Sequence, residues 1–288
     1  MTAIVLDGAA LAAKIRAELQ EDVEKLAAAG HRPGLGTILV GDDPASERYV
    51  ALKHQDCAEV GIASKGVHLP ATASQADVEE AIAAFNADDE IDAYLVQLPL
   101  PKGLDEEAAL LAVNPDKDVD GLHPVNLGRL VMGADGPVPC TPAGIQRLLV
   151  EYDVPIEGRH VVIVGRGLTI GRPLALLLTL KRRHANAAVT VVHTGVADWA
   201  DVTRGADVVV GAAGSPNMIT PDVIRPGSVV IGGGLTWEGR RALSDVDESC
   251  AEVAGWITPR LGGVGVTTVA MLLRNTVAAA ERRAARRT

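Results

Sequence analysis

Strand-sized apolar runs and helix-sized amphipathic segments follow one another along the N-terminal part of the chain. Apolar residues at helical spacing, bounded by capping or turn residues, predict helices at 11–29, 45–60, 74–86 and 105–113. Short apolar runs between them predict strands at 35–40, 67–69 and 91–96. This alternation is typical of right-handed βαβ units and a mostly parallel sheet.

The alternation lapses between 114 and 141, where Pro, Gly and Asp are frequent, and then resumes. Thr141 followed by Pro142 predicts the N-cap and first turn of a helix that runs to about Tyr152. Later segments predict strands at 160–164, 189–193, 207–210 and 228–232, and helices at 171–180, near Trp199, after Thr220-Pro221 and at about 267–286. The sequence therefore predicts an α/β fold of two βαβ domains, with their boundary in the lapse.

The segment 161–173 indicates a nucleotide site. A buried strand ends at Gly165, a second glycine follows at Gly167, and Gly171 opens an apolar helix. Glycines let the backbone approach a dinucleotide pyrophosphate, and the helix N-terminus receives its negative charge. The spacing G-x-G-x-x-x-G is one residue longer than the usual fingerprint, so an ordinary strand-to-helix turn remains an alternative.

Composition narrows the functional classes. Apolar residues make up 48% and charged residues 22% of the 288 positions, as in globular enzymes. A net charge of -10 disfavours nucleic acid as a partner, and no apolar run is long enough to span a membrane. The three scattered cysteines fit neither a disulfide framework nor metal-ligand spacing, which favours a cytoplasmic protein without a metal.

The end of the second predicted strand of the C-terminal domain, at 189–193, bears on the choice of cofactor. It ends in His193-Thr194, whereas an NAD site usually has Asp or Glu there to bind the ribose hydroxyls. A carboxylate at that place would also repel a 2′-phosphate, and Arg166 in the glycine turn would attract one. The sequence therefore predicts NADP, although Arg166 could equally be a solvent-facing loop residue.

The N-terminal domain offers polar groups at positions that suit a ligand. Tyr49 and Lys53 are four residues apart on one predicted helix and so share a face. Gln97 ends an apolar strand, where open α/β sheets bind ligands, and two prolines stiffen the backbone after it. The segment 116–121 begins like a calcium loop, but position twelve is Leu127 instead of the required Glu, which argues against calcium.

Five motifs occur in one order along the chain: Tyr49-Val-Ala-Leu-Lys53, Val96-Gln-Leu-Pro-Leu-Pro101, Pro115-Asp-Lys-Asp-Val-Asp-Gly-Leu-His-Pro124, Pro139-Cys-Thr-Pro142 and Gly262-Gly-Val-Gly265. Together they closely resemble the bifunctional methylenetetrahydrofolate dehydrogenase/methenyltetrahydrofolate cyclohydrolase family. The resemblance extends from Leu6-Asp7-Gly8 to the final helix.

The resemblance implies a cytoplasmic homodimer of one-carbon metabolism and purine biosynthesis. It implies a catalytic folate-binding domain at 1–138 and 268–288, a Rossmann-like NADP-binding domain at 139–267, and folate in the cleft between them. Tyr49 would stack on the pterin, Gln97 would hold the catalytic Lys53, and Asp120 would bind the pterin N–H groups. Further expected substrate contacts are Leu98, Pro99, Gly262 and Gly263. The expected nucleotide contacts are Gly165, Arg166, Gly167, Thr169, Ile170, His193, Thr194 and Leu235.

The implied chemistry is coherent. Oxidation of the methylene carbon transfers a hydride to the nicotinamide and leaves a cation delocalised over two nitrogens, so the protein mainly positions two rings and stabilises charge. Water then adds to this carbon and the ring opens to 10-formyltetrahydrofolate. A neutral, desolvated Lys53 is the candidate for the proton transfer.

The chain departs from the family at three places. It has Leu261-Gly-Gly-Val-Gly-Val266-Thr267 where the family usually has Pro-Gly-Gly-Val-Gly-Pro-Met, Gly232-Gly233-Gly234 for Asp-Val-Gly, and Gly167 where many members have Ser. Lost prolines would loosen a loop at the folate, or the loop could be rebuilt around the Thr267 hydroxyl. Alternatives are a dehydrogenase without cyclohydrolase activity, a dehydrogenase for another pterin or a small acid, and a non-catalytic nucleotide-binding regulator.

Overall fold

The computed structural model describes residues 3–239 and 241–287. The strands are β1 (Ile4–Val5), β2 (Gly34–Val40), β3 (Ala63–Leu69), β4 (Ala93–Val96), β5 (His160–Val164), β6 (Ala188–Val192), β7 (Val208–Gly211), β8 (Val229–Gly232), β9 (Leu235–Glu238), β10 (Arg241–Ser244) and β11 (Trp256–Ile257). The helices are α1 (Gly8–Ala28), α2 (Pro44–Val60), α3 (Gln75–Ala87), α4 (Glu106–Ala112), α5 (Pro124–Met132), α6 (Cys140–Glu151), α7 (Gly171–Thr179), α8 (Trp199–Arg204) and α9 (Val264–Arg287). Short 3-10 helices lie at Pro221–Val223 and Glu248–Glu252.

The chain forms two compact units. The larger unit contains residues 3–13, 130–133 and 139–271, and the smaller unit contains 14–129, 134–138 and 272–287. The sequence assigned all of 1–138 to one domain, and the structure differs because β1 pairs in parallel with β11 of the larger unit. The α/β class and the parallel sheets agree with the prediction.

The larger unit is built on a six-stranded parallel sheet in the order β1-β11-β8-β7-β5-β6. The central strands are almost continuous runs of buried Val and Ile, as expected where both faces of a parallel sheet are covered. After β5 the chain adds β6 on one side of β5 and then returns to add β7 on the other side. Crevices at such a reversal, beyond the carboxyl ends of the strands, are where open α/β sheets bind ligands.

The smaller unit has a three-stranded parallel sheet in the order β3-β2-β4. The central strand β2 is buried along its whole length. On one side Phe85 of α3 packs edge-on against Tyr94 of β4, with ring centroids 5.5 Å apart. The predicted capping box of α3 is confirmed, because Ser74 and Asp77 bond to each other's backbone N–H groups.

Three features of the predicted secondary structure were wrong. Thr141 is not an N-cap: α6 begins at Cys140, Pro139 precedes it without a side-chain cap, and the Thr141 hydroxyl accepts a hydrogen bond from Thr268. The segment after Pro221 forms only a three-residue 3-10 helix. The lapse between 114 and 141 contains α5, whose Pro124 is tolerated in the first helical turn.

Candidate active site and nucleotide pocket

The side chains of Lys53 and Gln97 meet in the smaller unit. Lys53 lies on α2, which is fixed at its start by the Asp43 carboxylate accepting the Ser46 N–H at 2.8 Å. The Lys53 Nζ donates to Gln97 Oε1 at 2.8 Å, and the Gln97 side-chain amide donates to the Leu98 carbonyl, also at 2.8 Å. These two bonds orient the glutamine so that its oxygen faces the lysine. The predicted pairing of Lys53 with Gln97 is therefore present.

Gln97 is held in place by the sheet. It directly follows β4, and its backbone N–H donates to Ile38 of β2 at 2.8 Å. The Leu98–Pro99 peptide bond is cis, and Pro99 is exposed while Leu98 is half-buried. A polar side chain at the carboxyl end of a buried strand thus projects from a rigid part of the unit.

The segment before Asp120 runs beside the free edge of β4. Tyr94 donates to the Lys117 carbonyl at 2.8 Å and accepts from Val119 at 3.3 Å, in parallel register. The buried Asp118 carboxylate then accepts from the N–H groups of Gly121 and His123 and from Asn126. Asp118 therefore shapes the turn that carries Asp120.

The three aspartates of the calcium-like segment have different surroundings. Asp116 forms ion pairs with Arg129 and Arg286, and the oxygens of Asp118 are occupied by backbone and amide donors. Within residues 3–239 and 241–287, the Asp120 carboxylate has no hydrogen-bond or ion-pair partner. It is half-buried and still accessible. A carboxylate in that state is available to a ligand that brings N–H donors.

The electrostatic setting of Asp120 combines opposing influences. Burial raises the pKa of its carboxyl group, because the charged form loses hydration. The nearby positive charge of Lys53 opposes this rise, and the negative charge of Asp118 adds to it. Lys53 and Asp120 are thus close enough to influence each other. Tyr49, one helical turn before Lys53, is 42% exposed and offers an aromatic face to solvent.

A cavity of about 300 Å³ lies at the carboxyl ends of β5, β6 and β7 in the larger unit. Its lining includes five of the predicted nucleotide contacts, namely Gly165, Arg166, Gly167, His193 and Thr194. Trp199 and Met218 also line it, and sequence reasoning missed them because an apolar residue in a short helix or loop has no distinctive pattern. Thr169, Ile170 and Leu235 were predicted contacts, but they are not part of this lining.

The glycines of the turn have unequal roles. Gly165 has a φ of +128°, and a Cβ there would lie 2.1 Å from the Ala212 carbonyl oxygen. A Cβ on Gly171 would lie 2.3 Å from the Gly165 oxygen. Both positions therefore require glycine. A Cβ on Gly167 would meet nothing within 4 Å, so a side chain would fit there.

The charged groups at the cavity favour a phosphate. Arg166 is exposed, and its Nη1 lies 3.3 Å from His193 Nε2. The Arg166 carbonyl accepts from Arg172 Nε at 2.9 Å, which fixes the turn. In the part of the chain that the structure describes, none of the residues lining the cavity is Asp or Glu.

Gly262 and Gly263 lie in the larger unit, between β11 and α9. The Gly262 carbonyl accepts from Ala9 at 2.9 Å, and a Cβ on Gly8 would lie 2.0 Å from the Gly263 oxygen. The Leu6-Asp7-Gly8 motif is thus explained by close backbone packing. Thr267 is fully buried in α9, and its hydroxyl donates to the Val264 carbonyl at 2.8 Å.

Comparisons with known proteins cover nearly the whole chain. Residues 6–120 match the model of the tetrahydrofolate dehydrogenase/cyclohydrolase catalytic domain, and residues 139–284 match the NAD(P)-binding domain of the same family. The bifunctional protein FolD of Syntrophotalea carbinolica is 58% identical over 286 residues, which cover 99% of each chain.

Solved structures agree with these matches. The bifunctional enzyme FolD, a methylenetetrahydrofolate dehydrogenase/cyclohydrolase from Campylobacter jejuni, is 41% identical with a TM-score of 0.93, covering 97% of this chain and 99% of that one. The corresponding enzyme of Trypanosoma brucei, solved with NADP cofactor and inhibitor, is 38% identical with a TM-score of 0.92, covering 98% and 99%.

Proposed function

The chain belongs to the tetrahydrofolate dehydrogenase/cyclohydrolase family, and we propose that Lys53, Gln97 and Asp120 serve both of its reactions. The enzyme oxidises 5,10-methylenetetrahydrofolate to 5,10-methenyltetrahydrofolate with NADP and hydrolyses the product to 10-formyltetrahydrofolate. The observation that carries the residue assignment is the pair formed by Lys53 and Gln97 at 2.8 Å, with the unpartnered Asp120 carboxylate within electrostatic reach of Lys53.

Asp120 orients the folate. A carboxylate accepts two parallel N–H bonds from the amino and ring N–H groups of a pterin, which fixes the plane of the ring and its distance. Tyr49 supports the same ring through stacking, since its side chain is exposed on the helix that carries Lys53. Leu98, Pro99, Gly262 and Gly263 remain predicted substrate contacts.

Lys53 moves the proton in the hydrolytic step. In its neutral form, Nζ accepts a proton from the water that attacks the methenyl carbon and returns it to the nitrogen that leaves as the ring opens. Gln97 accepts a hydrogen bond from Nζ and so sets its direction. In the oxidative step the same residues only position the ring and stabilise charge.

The cavity in the larger unit fits NADP. Gly165 and Gly171 allow the close backbone packing of a pyrophosphate turn, and Gly167 leaves it open. Arg166 and Thr194 suit a 2′-phosphate, and no acid lines the described cavity to repel one. When bound there, NADP accepts the hydride from the methylene carbon.

A spectrophotometric assay tests these assignments. The protein is incubated with methylenetetrahydrofolate and NADP, and NADPH and methenyl absorbance are followed together. Lys53→Met should lower methenyl hydrolysis by at least about 100-fold, the scale of lost acid–base catalysis, while NADP binding is retained. Use of NAD should be poorer than use of NADP.

Lys25→Met is the matched control, because Lys25 is an exposed lysine of the smaller unit on α1. It should leave both activities within twofold. Methenyl hydrolysis at a near-normal rate in Lys53→Met would remove Lys53 from the chemistry. A methenyl product that accumulates in the unmodified protein would instead indicate a dehydrogenase without cyclohydrolase activity.

We also propose a cytoplasmic homodimer that supplies 10-formyltetrahydrofolate to purine biosynthesis. The family resemblance supports the dimer, and three buried cysteines without disulfides support a reducing compartment. No helix in residues 3–239 and 241–287 is long and apolar enough to cross a membrane. Light scattering during size-exclusion chromatography measures the oligomeric state.

A further inference from the structure

A buried carboxylate lies beneath the loop that follows β7. Asp245, directly after β10, is completely buried. Its Oδ2 accepts from the N–H groups of Ala213 at 2.7 Å and Gly214 at 3.1 Å, and its Oδ1 accepts from Ser215 at 2.7 Å. Three successive N–H groups of one loop thus converge on one side chain. No cation pairs with it in the described part of the chain.

The backbone around the Asp245 side chain is packed so closely that two neighbouring positions must be glycine. A Cβ on Gly234 would lie 2.2 Å from Asp245 Oδ2, and a Cβ on Gly211 would lie 2.7 Å from Asp245 Cβ. The Gly211 carbonyl also accepts from Gly233 at 2.8 Å and Gly234 at 3.0 Å. Two strand ends therefore close around the carboxylate, and both need glycine for it to fit.

The loop held in this way forms a wall of the nucleotide cavity. Ala212 and Ala213 line the cavity, and the Ala212 carbonyl packs directly against Gly165 of the phosphate turn. A shift of the loop would therefore change the shape of the cavity and press on Gly165. Asp245 reaches the cavity only through this loop.

We propose that Asp245 is a positioning residue for NADP, which acts by fixing residues 212–215. The proposal rests on the proposed function, because it requires the nucleotide to occupy this cavity. An Asn at 245 would keep the size of the side chain but would turn one NH₂ group towards backbone N–H donors. At least one of the three loop N–H groups would then lose its acceptor, and the loop would move to find another.

Measuring both activities of the enzyme distinguishes an effect on NADP binding from a general loss of folded structure. Methenyl hydrolysis consumes water and no nucleotide, so it does not depend on a nucleotide bound in this cavity. In Asp245→Asn the KM for NADP should rise about tenfold, the scale of one lost hydrogen bond to a charged group. Methenyl hydrolysis and the folate KM should stay within twofold.

Asp247→Asn is the matched control. Asp247 is two residues away and caps the helix Glu248–Glu252 by accepting the Ser249 N–H at 2.9 Å, without contact to the loop 212–215. This variant makes the same change of side chain away from the loop, with the Asn oxygen still able to accept the Ser249 N–H, and it should leave the KM for NADP unchanged. A rise equal to that of Asp245→Asn would overturn the proposal.

A milder variant covers the case in which Asp245→Asn does not fold. Thr236→Val removes the hydroxyl that donates to the Gly214 carbonyl at 3.1 Å. It should raise the KM for NADP about two- to threefold, the smaller effect of an exposed contact. The proposal is contradicted if Asp245→Asn loses both activities in proportion while its KM for NADP is unchanged. If Asp245→Asn is insoluble, an unchanged KM for NADP in Thr236→Val contradicts it. If the unmodified protein oxidises no folate with NADP, the proposed function itself fails.

Discussion

Three aspartates that lie close together in the sequence of the smaller unit have different roles. Asp116 forms ion pairs with two arginines, and Asp118 organises a turn. Of these three aspartates, Asp120 alone has a carboxylate without a partner among residues 3–239 and 241–287. Burial of a carboxylate without such partners is unfavourable. The arrangement is therefore one that a bound ligand, and not the fold, would stabilise.

The raised pKa of Asp120 leads to a pH prediction. Folate binding needs the ionised carboxylate, so affinity should fall as pH drops through this pKa, at a higher pH than the ~3.9 of an ordinary aspartate. Lys53→Met removes the positive charge that favours ionisation, so the acid limb should move to still higher pH. Titration calorimetry of folate binding at a series of pH values measures the acid limb of the affinity curve for the unmodified protein and for Lys53→Met.

Two variants complete this experiment. Asp120→Asn should bind folate about tenfold more weakly at neutral pH, because one acceptor is lost, and its acid limb should disappear. Lys25→Met, which changes the net charge equally, should leave the limb in place. Coincident limbs for the unmodified protein and Lys53→Met would show that Lys53 does not act on Asp120.

The sequence allowed prediction of some of these residues and not of others. Gln97 was found because a polar residue at the end of an apolar strand is a local signal, and Lys53 because it shares a helical face with Tyr49. The role of Asp245 was not predicted, since it depends on N–H groups about 30 residues earlier in the chain. Such a contact leaves no periodic pattern.

Among the elements, the regular strands and long helices were predicted well, whereas the hairpin of β9 and β10 was missed. Its strands carry the alternating residues Leu235, Trp237 and Ala242 in only four positions each, too few for a periodic signal. The hairpin matters for the site, because it brings Ser244 and Asp245 back against β7 and β8.

The hairpin also accounts for the glycine at position 232. A Cβ at 232 would lie 2.4 Å from the Ser244 hydroxyl oxygen, and Ser244 is buried. Gly232→Ala should therefore destabilise the protein by about 1–3 kcal/mol, as overpacking does. The same change in a Ser244→Gly background should lose most of this effect, because the space is free.

Chemical denaturation of the four combinations gives the coupling free energy between the two positions. Gly205→Ala is the control, since a Cβ there would make only an ordinary contact at 3.5 Å, and it should change stability by less than about 0.5 kcal/mol. Additive effects of the two substitutions would mean that Ser244 does not exclude a side chain at 232.

For the whole molecule, alternation of strands and helices was enough to predict two α/β domains, but not their limits. The N-terminal residues join the larger unit through two residue pairs between β1 and β11, and so short a strand cannot be recognised in isolation. Each unit has its own buried core: Val162, Val209 and Val230 belong to that of the larger unit, and Ile38, Ile82 and Phe85 to that of the smaller.

The buried cysteines report on these cores separately. Cys57 lies in the smaller unit and Cys250 in the larger, both fully buried, and burial raises the pKa of each thiol to about 12. Neither thiol should react with an alkylating reagent until its own core opens. Mass spectrometry of cysteine-containing peptides measures the two labelling rates in a single sample.

Because separate cores can open separately, a ligand of one unit should protect only the cysteine of that unit. NADP at about 100 times its dissociation constant lowers the open population of the unit that binds it about 100-fold. We therefore expect NADP to slow labelling of Cys250 by up to that factor and to leave Cys57 nearly unchanged. NAD, which we propose binds more weakly than NADP, should protect Cys250 less at the same concentration. Equal protection of both cysteines by NADP would show that the chain opens as one cooperative unit. Protection of Cys57 alone would indicate that the nucleotide binds the smaller unit, against the proposal.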